Sequence, residues 1–369
     1  MAKSKYKFYS LDRIDSRNCH YNIIIGERSN GKTYACLYRI VEKYFKEGKE
    51  GAIIRRWQDD FKSKRGQMMF AALTANGVIE KLSGGAWDHV DYFAGRFYMA
   101  CYIVDDSGTK KSIREDKPFC YAFALSAMEH DKSTSYPNVY TILFDEFITR
   151  DSYFNDEFVI FMNTLSSICR LRKDGIKIYM CGNTINKYCP YFNEMGIDVK
   201  KMKPGDLDVY KYGDTELRVA IEYADNANSK DKASNVLFAF NNPKLAMITH
   251  GSWEIDIYPH LPVKYRTIDI LFTYFIVWEG DTLQCEIVQH DDYVFTYIHR
   301  KTTEIKDPEH DIVFSTEFSA RPNYYRNIKR SVDNLSKKIN SFFNKYKVFY
   351  QDNEVGEIIR NYCAWCNQN

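Results

Sequence analysis

The sequence lacks a long apolar run, a strong net charge of either sign and an N-terminal targeting segment. Its longest apolar stretch, Ile268 to Trp278, is too short to span a bilayer. The segment Met1 to Tyr9 is polar and basic, without the apolar core of a secretory signal. We therefore expect no membrane association. The net charge is only +2, so any nucleic-acid binding would have to come from local basic patches.

Cysteines are present but not arranged as a framework. The ten of them are scattered along the chain, which fits a reducing cytoplasm better than a set of disulfides. Cys363 and Cys366 form a lone Cys-x-x-Cys pair, and a structural zinc site needs four ligands. With 369 residues, 45% hydrophobic and 27% charged, the chain is expected to form about two globular domains.

One stretch places a glycine-bounded loop between a predicted strand and a predicted helix. It matches the phosphate-binding pattern G-x-x-x-x-G-K-[ST]. A β-branched run, Ile23 to Ile25, precedes it, and apolar residues at helical spacing follow from Tyr34 to Phe45. This order aims backbone N–H groups and a helix N-terminus at a phosphate. We predict that ATP binds to the loop residues Gly26, Glu27, Arg28, Ser29, Asn30, Gly31, Lys32 and Thr33.

A second apolar run, Val139 to Phe144, ends in two adjacent carboxylates. In a P-loop enzyme Lys32 would reach the β- and γ-phosphates, and the Thr33 hydroxyl would bind Mg²⁺. Asp145 would hold the same metal ion, while Glu146 would orient and deprotonate the attacking water. An Asp-Glu pair after an apolar run is common, but roughly 110 residues after a P-loop it is much more specific.

Strands and helices are predicted to alternate through residues 1–225, which we interpret as a P-loop ATPase domain with a mainly parallel sheet wound on both faces. A strand from Gly51 to Arg56 ends in two arginines that face the nucleotide, a neighbouring subunit or solvent. Asn183, just past another strand, is placed to sense the γ-phosphate or to make an ordinary turn. The remaining elements are a helix over Asp59 to Leu73 and a hairpin of Phe97 to Val104 with Lys117 to Leu125.

Residues 225–235 are polar and small, and we interpret residues 226–252 as a linker. From residue 253 to 369 three strand candidates follow one another, and a basic helix with apolar positions from Ile328 to Tyr346 comes next. This order resembles the start of an RNase H-like nuclease fold. Such a nuclease needs an Asp in the middle of its first strand, and Ile270 to Val277 contains no carboxylate. We predict a smaller α+β domain that binds nucleic acid and is inactive as a nuclease.

These motifs together resemble the DNA-packaging ATPases of small phi-29-like tailed phages, which are distant relatives of large terminase subunits. The resemblance lies in the P-loop with its internal Arg28, in Lys132 to Val139 leading into Phe144 to Phe147, in Arg55-Arg56, and in Gly182 to Thr184. It covers Asn22 to about Asn186 by specific motifs, and the rest of the chain only by architecture.

The resemblance implies an assembly and a set of shared residues. It implies a homo-oligomeric ring, commonly a pentamer, that sits on the capsid portal and drives double-stranded DNA inward with ATP and Mg²⁺. A packaging RNA is a further partner in this family, although no residue here reports on it. The site of action would be the cytoplasm of the infected host cell, with the ring transiently on the procapsid vertex. Lys132 and either Arg170 or Arg172 would reach a neighbour's nucleotide, and Arg28 is the competitor within the same subunit.

Two alternatives stay open at this point. The first is a terminase-like ATPase whose C-terminal domain cuts DNA. Its metal would need clustered carboxylates, for which the candidates are Asp269, Glu279, Asp281, Asp291 and Asp292. The second is a P-loop scaffold protein with weak hydrolysis and no DNA path, which Glu146 disfavours because a pure nucleotide binder gains little from a catalytic base.

Overall fold

The structure is a computed structural model that describes residues 8–62, 64–104, 108–130, 136–150, 153–170, 172, 175–225, 256–330 and 333–368. The chain divides into two compact units, Met1–Glu254 and Ile255–Asn369. The predicted linker, residues 226–252, lies outside the described residues and stays a prediction.

Strands and helices alternate through the first unit. The strands are β1 (Tyr21–Gly26), β2 (Glu50–Arg55), β3 (His89–Phe93), β4 (Arg96–Val104), β5 (Lys110–Arg114), β6 (Cys120–Ala124), β7 (Val139–Asp145), β8 (Lys177–Asn183), β9 (Leu207–Lys211) and β10 (Arg218–Tyr223). The α-helices are α1 (Asp12–Asp15), α2 (Lys32–Glu47), α3 (Lys64–Gln67), α4 (Ala71–Ala75), α5 (Val78–Leu82), α6 (Glu157–Cys169) and α7 (Pro190–Glu194). Short 3₁₀ turns lie at Gln58–Phe61 and Leu125–His130.

All ten strands join one sheet in the order β3-β4-β6-β2-β7-β8-β1-β10-β9, with β5 paired to β4 alone. The six strands from β6 to β10 in this order pair in parallel. The pairs that involve β3, β4, β5 or β9 are antiparallel. The predicted mainly parallel sheet of an α/β domain is therefore confirmed.

Both faces of this sheet are covered. Side chains of β1 alternate between two apolar cores, with Ile23 and Ile25 in one and Ile24 in the other, and all three are fully buried. Helix α6 contributes Phe161 to the first core, and α2 contributes Ile40 to the second. No helix among the described residues combines the length and the apolarity that a membrane crossing requires.

The predicted helix from Asp59 to Leu73 is wrong, because a 3₁₀ turn, α3 and α4 replace it. Strand β3 explains the interruption. The Gln67 amide donates to the Val90 carbonyl (3.0 Å) and accepts from the Tyr92 N–H (2.9 Å). A Cβ at Gly66 would lie 2.4 Å from the Tyr92 ring, so the chain approaches β3 more closely than a continuous helix with side chains could.

The predicted hairpin of Phe97 to Val104 with Lys117 to Leu125 is also wrong. The antiparallel partner of β4 along residues 100–104 is β5, which lies within the stretch expected to be a flexible turn. Strand β6 touches β4 only through the pairs Arg96–Tyr121 and Phe97–Cys120 and then runs parallel to β2. The chain thus leaves the hairpin and enters the parallel part of the sheet.

The second unit is built on a six-stranded sheet in the order β15-β14-β11-β12-β13-β16. Its strands are β11 (Ile270–Trp278), β12 (Asp281–His290), β13 (Tyr293–Arg300), β14 (Val313–Ser315), β15 (Tyr324–Tyr325) and β16 (Val348–Tyr350). Strands β11 to β13 form an antiparallel meander, while β14 runs parallel to β11, β15 parallel to β14, and β16 parallel to β13.

Two helices belong to this unit. Helix α8 (Asn334–Asn344) is shorter than predicted, because Asp333 caps its N-terminus by accepting the Ser336 N–H at 2.7 Å. Helix α9 (Asn353–Gln368) was not predicted, and it contains Cys363 and Cys366. The Tyr362 ring of α9 packs on Trp278 of β11 with centroids 5.9 Å apart, which holds the helix against the sheet.

Candidate functional site

Four neighbouring strands of the first unit end at one cavity. Strands β2, β7, β8 and β1 are adjacent in that order, and the residues after each carboxyl end line a space of about 690 Å³. In parallel sheets ligands bind at this end of the strands. The cavity brings together the predicted residues from Arg28 to Thr33 with Asp145, Glu146 and Asn183. Gly26 and the buried Glu27, which were also predicted to bind ATP, are not among its lining residues.

The loop after β1 has the backbone that a phosphate cradle needs. Gly31, directly before α2, has a φ of +95°, which an L side chain rarely adopts. Ser29 also has a positive φ of 61°, and a non-glycine residue held in such a conformation is a sign of functional constraint. Lys32 is 5% exposed, and its Nζ donates to the Gly26 and Glu27 carbonyls at 3.2 and 2.7 Å. The loop and its lysine are therefore ordered by their own contacts.

The predicted metal ligands meet across the sheet. The Thr33 hydroxyl at the start of α2 donates to Asp145 Oδ1 at the end of β7, 2.8 Å away and 112 residues later in the chain. Asp145 is 2% exposed, so its carboxylate is directed into the cavity. A hydroxyl and a carboxylate are oxygen ligands of the kind that Mg²⁺ prefers, together with substrate phosphates. These residues fit the predicted metal.

Arg55, at the end of β2, contacts both carboxylates. Its Nη2 lies 2.5 Å from Asp145 Oδ2 and its Nη1 lies 2.8 Å from Glu146 Oε2. Burial alone would lower the pKa of Arg55, but the charges of Asp145 and Glu146 outweigh it and the pKa is raised. Arg55 therefore remains a cation, and of the three orientations predicted for it the one toward the nucleotide site is the one observed.

Glu146 differs from its neighbour in exposure and in backbone. Its side chain is 60% exposed, and its φ is +58°, in the left-handed region. The chain turns sharply here, so adjacent residues point in different directions. Asp145 faces Thr33, whereas Glu146 faces the open part of the cavity, which suits a group that must meet water.

Strand β8 supplies the remaining predicted residue of the cavity. Asn183 Oδ1 accepts from Lys32 Nζ at 3.3 Å, so the predicted sensor contacts the predicted phosphate lysine. A Cβ at Gly182 would lie 2.7 Å from Ile148, so only glycine lets β8 pass this close to the Asp-Glu turn. Arg28 is exposed at the cavity rim. Lining residues that the sequence did not single out are Tyr34, Trp57, Asp60, Thr149, Arg150 and Ile185.

Arg170 and Arg172, two of the residues predicted to act on a neighbouring subunit, follow α6 and are not among the residues that line this cavity. Arg172 donates to the carbonyls of Pro137 and Val139, both at 2.6 Å, where β7 begins. The cavity lies at the other end of that strand, about 20 Å away for seven residues. Arg170, which follows α6, is exposed and has φ 48° and ψ −133°. Lys132 lies outside the described residues.

The acidic residues considered for a nuclease site do not converge. Asp269, just before β11, accepts a hydrogen bond of 2.7 Å from the backbone N–H of Arg266. Asp281 is paired with Arg300 at 2.8 Å at the far end of the same sheet. Glu279 lies in the turn before β12, and Asp291 and Asp292 in the turn before β13. Within the described residues no group of three or more His, Cys, Asp and Glu is placed to hold a metal ion.

Known proteins resemble the chain in sequence and in structure. The DNA packaging protein of Bacillus phage B103 is 25% identical over 276 residues, 73% of each chain. That of Bacillus phage phi29 is 23% identical over 285 residues, 76% of this chain and 75% of the relative. The solved Phi-28 gp11 DNA packaging motor shares the fold with a TM-score of 0.54 at 16% identity over 98% of both chains.

A second solved structure, the bacteriophage Phi-29 viral genome packaging motor assembly, has a TM-score of 0.54 at 20% identity and covers 96% of both chains. At these identities the likeness shows the fold alone. A protein-family model described as "Podovirus DNA encapsidation protein (Gp16)" matches residues 107–363, which is well over half of the sequence. The chain belongs to the Podovirus DNA encapsidation protein family.

Proposed function

We propose that the protein is an ATP-driven motor that moves double-stranded viral DNA into a preformed capsid. The observation that carries the proposal is the Thr33–Asp145 hydrogen bond, 2.8 Å long, with Glu146 beside it in the same cavity. This contact between the P-loop and the Asp-Glu strand supports the proposal, because hydrolysis of ATP needs both elements next to each other. The names of the phage relatives support the coupling of hydrolysis to DNA packaging.

Each residue of the cavity has a separate task in this proposal. Lys32 is a compact buried cation that would neutralise charge on the β- and γ-phosphates, and Asn183 beside it would report on the γ-phosphate. Thr33 and Asp145 would hold Mg²⁺, which supplies charge neutralisation across the phosphate oxygens when bound. Glu146 would accept a proton from the attacking water, because its side chain is 60% exposed at the cavity whereas Asp145 beside it is buried.

Arg55 restrains this chemistry in the conformation described. Its Nη1 already donates to Glu146 Oε2 at 2.8 Å. The attacking water would need this oxygen, so the contact between Arg55 and Glu146 would open before hydrolysis.

A cation from a second subunit would complete the site. Of the two arginines that the sequence left open, Arg170 suits the role better. Arg172 is held by two backbone carbonyls and lies over the Tyr140 ring, 5.1 Å from its centroid. Arg170 is exposed at the end of α6 with a strained backbone. A residue offered by one subunit to the next is a heterologous contact, which closes into a ring.

The proposed partners follow from the family. The ring, commonly a pentamer in this group, would sit on the capsid portal and act on double-stranded DNA, with a packaging RNA as a further partner. Its place would be the cytoplasm of the infected host cell and, transiently, the procapsid vertex.

We propose that the second unit is nuclease-like but does not cleave DNA. The proposal is supported by a meander of β13-β12-β11 extended by β14 and β15, both running in the direction of β11, which resembles an RNase H-like sheet with β16 added at its edge. The scattered positions of Asp269, Asp281 and Asp291 argue against the alternative of a cutting terminase. This unit would instead bind nucleic acid without sequence preference.

The proposed function is tested by ATP hydrolysis with and without linear double-stranded DNA. We expect DNA to stimulate turnover, with Lys32→Ala as the inactive reference. Weak hydrolysis that DNA leaves unchanged would favour a P-loop scaffold, and plasmid nicking in the same samples would favour a cutting terminase.

The second unit is expected to bind DNA through phosphate contacts that depend on salt. Lys337, Lys338 and Lys345 are exposed on and just after α8. Changing all three to Gln should reduce the slope of log affinity against log salt by about 1–3, because fewer counterions are released on binding when fewer phosphates are contacted. Lys46→Gln, an exposed lysine paired with Glu42 in the first unit, is the control. An unchanged slope in the triple variant, or plasmid nicking with Mg²⁺ that survives repurification, would contradict this prediction.

A further inference from the structure

Arg56, the arginine next to Arg55, also lines the cavity, but its guanidinium binds groups inside the protein. Arg56 is 6% exposed, and its partner Glu157 is 2% exposed. Arg56 Nε lies 2.9 Å from Glu157 Oε2, and Nη2 lies 2.9 Å from Oε1, so the planar guanidinium and the carboxylate meet in a two-pronged contact. The two adjacent arginines thus have different partners.

The remaining donors of Arg56 hold the backbone of the proposed catalytic base. Nη1 donates to the Glu146 carbonyl at 3.3 Å, and Nη2 donates to the Phe147 carbonyl at 2.7 Å. Glu146 has a φ of +58°, a conformation that costs about 1–3 kcal/mol and persists only where surrounding contacts enforce it. Arg56 supplies two such contacts, one to the carbonyl of Glu146 itself and one to that of the next residue.

Glu157 is itself anchored by other elements. Its Oε1 accepts the Tyr191 hydroxyl at 2.8 Å, and its Oε2 accepts the Phe154 N–H at 3.0 Å. The Tyr153 ring lies over the Arg56 guanidinium, 5.0 Å from its centroid. The ion pair is therefore fully surrounded, and Arg56 has little freedom to move unless α6 moves with it.

Fold stability alone is a poor explanation for this arrangement. Replacing a buried ion pair by neutral groups of similar size is often neutral or stabilising, because the desolvation cost offsets the attraction. A buried arginine that spends two donors on the carbonyls of one strained turn provides geometry that an apolar pair would not.

We propose that Arg56, held by Glu157, is a positioning residue that sets the backbone of Glu146 and so aims its carboxylate at the attacking water. The proposal rests on the proposed role of Glu146 as the base. Arg56 touches neither nucleotide nor water in this role. It acts only through Glu146, and that restriction makes the proposal testable.

The test uses the full-length protein and the double variant Arg56→Met/Glu157→Gln, which leaves no isolated buried charge and keeps an acceptor for Tyr191. We expect kcat for ATP to fall by about 10–100-fold, since a displacement of about 1 Å at a reacting group costs on this order. KM and the affinity for a fluorescent ATP analogue should stay within about threefold, because the phosphate loop is untouched. Arg39→Met is the matched control. It removes the ion pair between Arg39 of α2 and Asp15 of α1 and should keep its kcat.

Two further measurements separate positioning from a general loss of structure. Arg56→Lys keeps the charge opposite Glu157 but lacks the planar fork, so it should retain thermal stability near that of the unmodified protein and still lose kcat. In a Glu146→Gln background, adding Arg56→Met/Glu157→Gln should cause no further fall in kcat, because the group that it positions is already gone.

The outcomes distinguish this inference from the function on which it rests. A Glu146→Gln variant with normal turnover would show that another group is the base, and Arg56 would then position no catalytic residue, whereas the proposed function is tested separately by ATP hydrolysis with and without DNA. A Glu146→Gln variant that is inactive, combined with full kcat in the Arg56→Met/Glu157→Gln protein, would overturn the positioning role alone. Losses that add in the combined variant would also overturn it, since Arg56 would then act by another route.

Discussion

Replacing Glu146 by Gln is expected to slow ATP hydrolysis by about 10²–10⁴-fold while leaving nucleotide binding near its original strength. The carboxamide cannot accept a proton from water, but its oxygen can still accept the hydrogen bond that Arg55 donates at 2.8 Å. The loop, Lys32 and Thr33 are not altered. Single-turnover hydrolysis and equilibrium binding of a fluorescent ATP analogue measure the two effects separately.

Lys32→Ala is the contrasting variant. It removes a buried cation that contacts its own loop at 2.7 Å, so binding itself should weaken by about 10–100-fold, the loss expected of a charge-assisted contact. Normal turnover in Glu146→Gln would show that another group is the base. A loss of binding as large as in Lys32→Ala would show that Glu146 acts in the cradle instead.

Subunits that are inactive for different reasons are expected to recover hydrolysis when they assemble together. One subunit carries Glu146→Gln and the other Arg170→Ala, and each alone should be slower by about 10²–10⁵-fold. In a ring of both, an interface that joins an intact Glu146 with a neighbour's intact Arg170 is complete. Random mixing of equal amounts makes about a quarter of the heterologous interfaces complete, so activity should rise well above that of either protein.

Arg172→Ala is the matched control in the mixing experiment. It removes a cation two residues away that already holds the start of β7. Mixing Arg172→Ala with Glu146→Gln subunits should therefore give no more activity than dilution of the Arg172→Ala protein predicts. Co-assembly is verified by light scattering before rates are compared. No gain in the Arg170→Ala mixture, despite proven co-assembly, would reject Arg170 as the shared residue and leave Arg28 and Lys132 as candidates.

The convergence of residues at the candidate site was predictable because its signals are local. A strand, a glycine-bounded loop and a helix occupy consecutive residues, and Asp145 with Glu146 ends an apolar run. Parallel strands end at one edge, so their meeting follows from the fold class. The Thr33–Asp145 hydrogen bond joins residues 112 positions apart, yet the convergence of strand ends is enough to predict that the two residues meet.

The contacts of Arg55, Arg56 and Glu157 that surround Glu146 were not predictable, because these residues come from separate parts of the chain. Arg55 and Arg56 end the same strand, and only the pairing of β2 with β7 decides which one faces the cavity. Glu157, the partner of Arg56, lies 101 residues later in the sequence. An isolated sequence offers no spacing rule for such a pair.

In the second unit the meander was predictable from alternation and tight turns, whereas helix α9 was overlooked although a signal existed. Its buried residues Val355, Ile358, Ile359, Tyr362 and Cys366 follow helical spacing. The apolar positions before α8 misled in the opposite direction. Ile328 is fully buried, but its N–H donates to the Tyr362 hydroxyl oxygen and the residue is not helical.

Helix α6 joins two residues that have so far been treated apart. Its first residue, Glu157, is tied through Arg56 to the peptide of Glu146, and Arg170 follows its last residue. Thirteen residues of α-helix form a stiff rod of about 20 Å. A rigid helix moves as a unit, so a displacement of Arg170 along the helix axis would also displace Glu157. In the role proposed for Arg170, helix α6 would therefore connect the contact with the next subunit to the backbone of Glu146 in its own subunit.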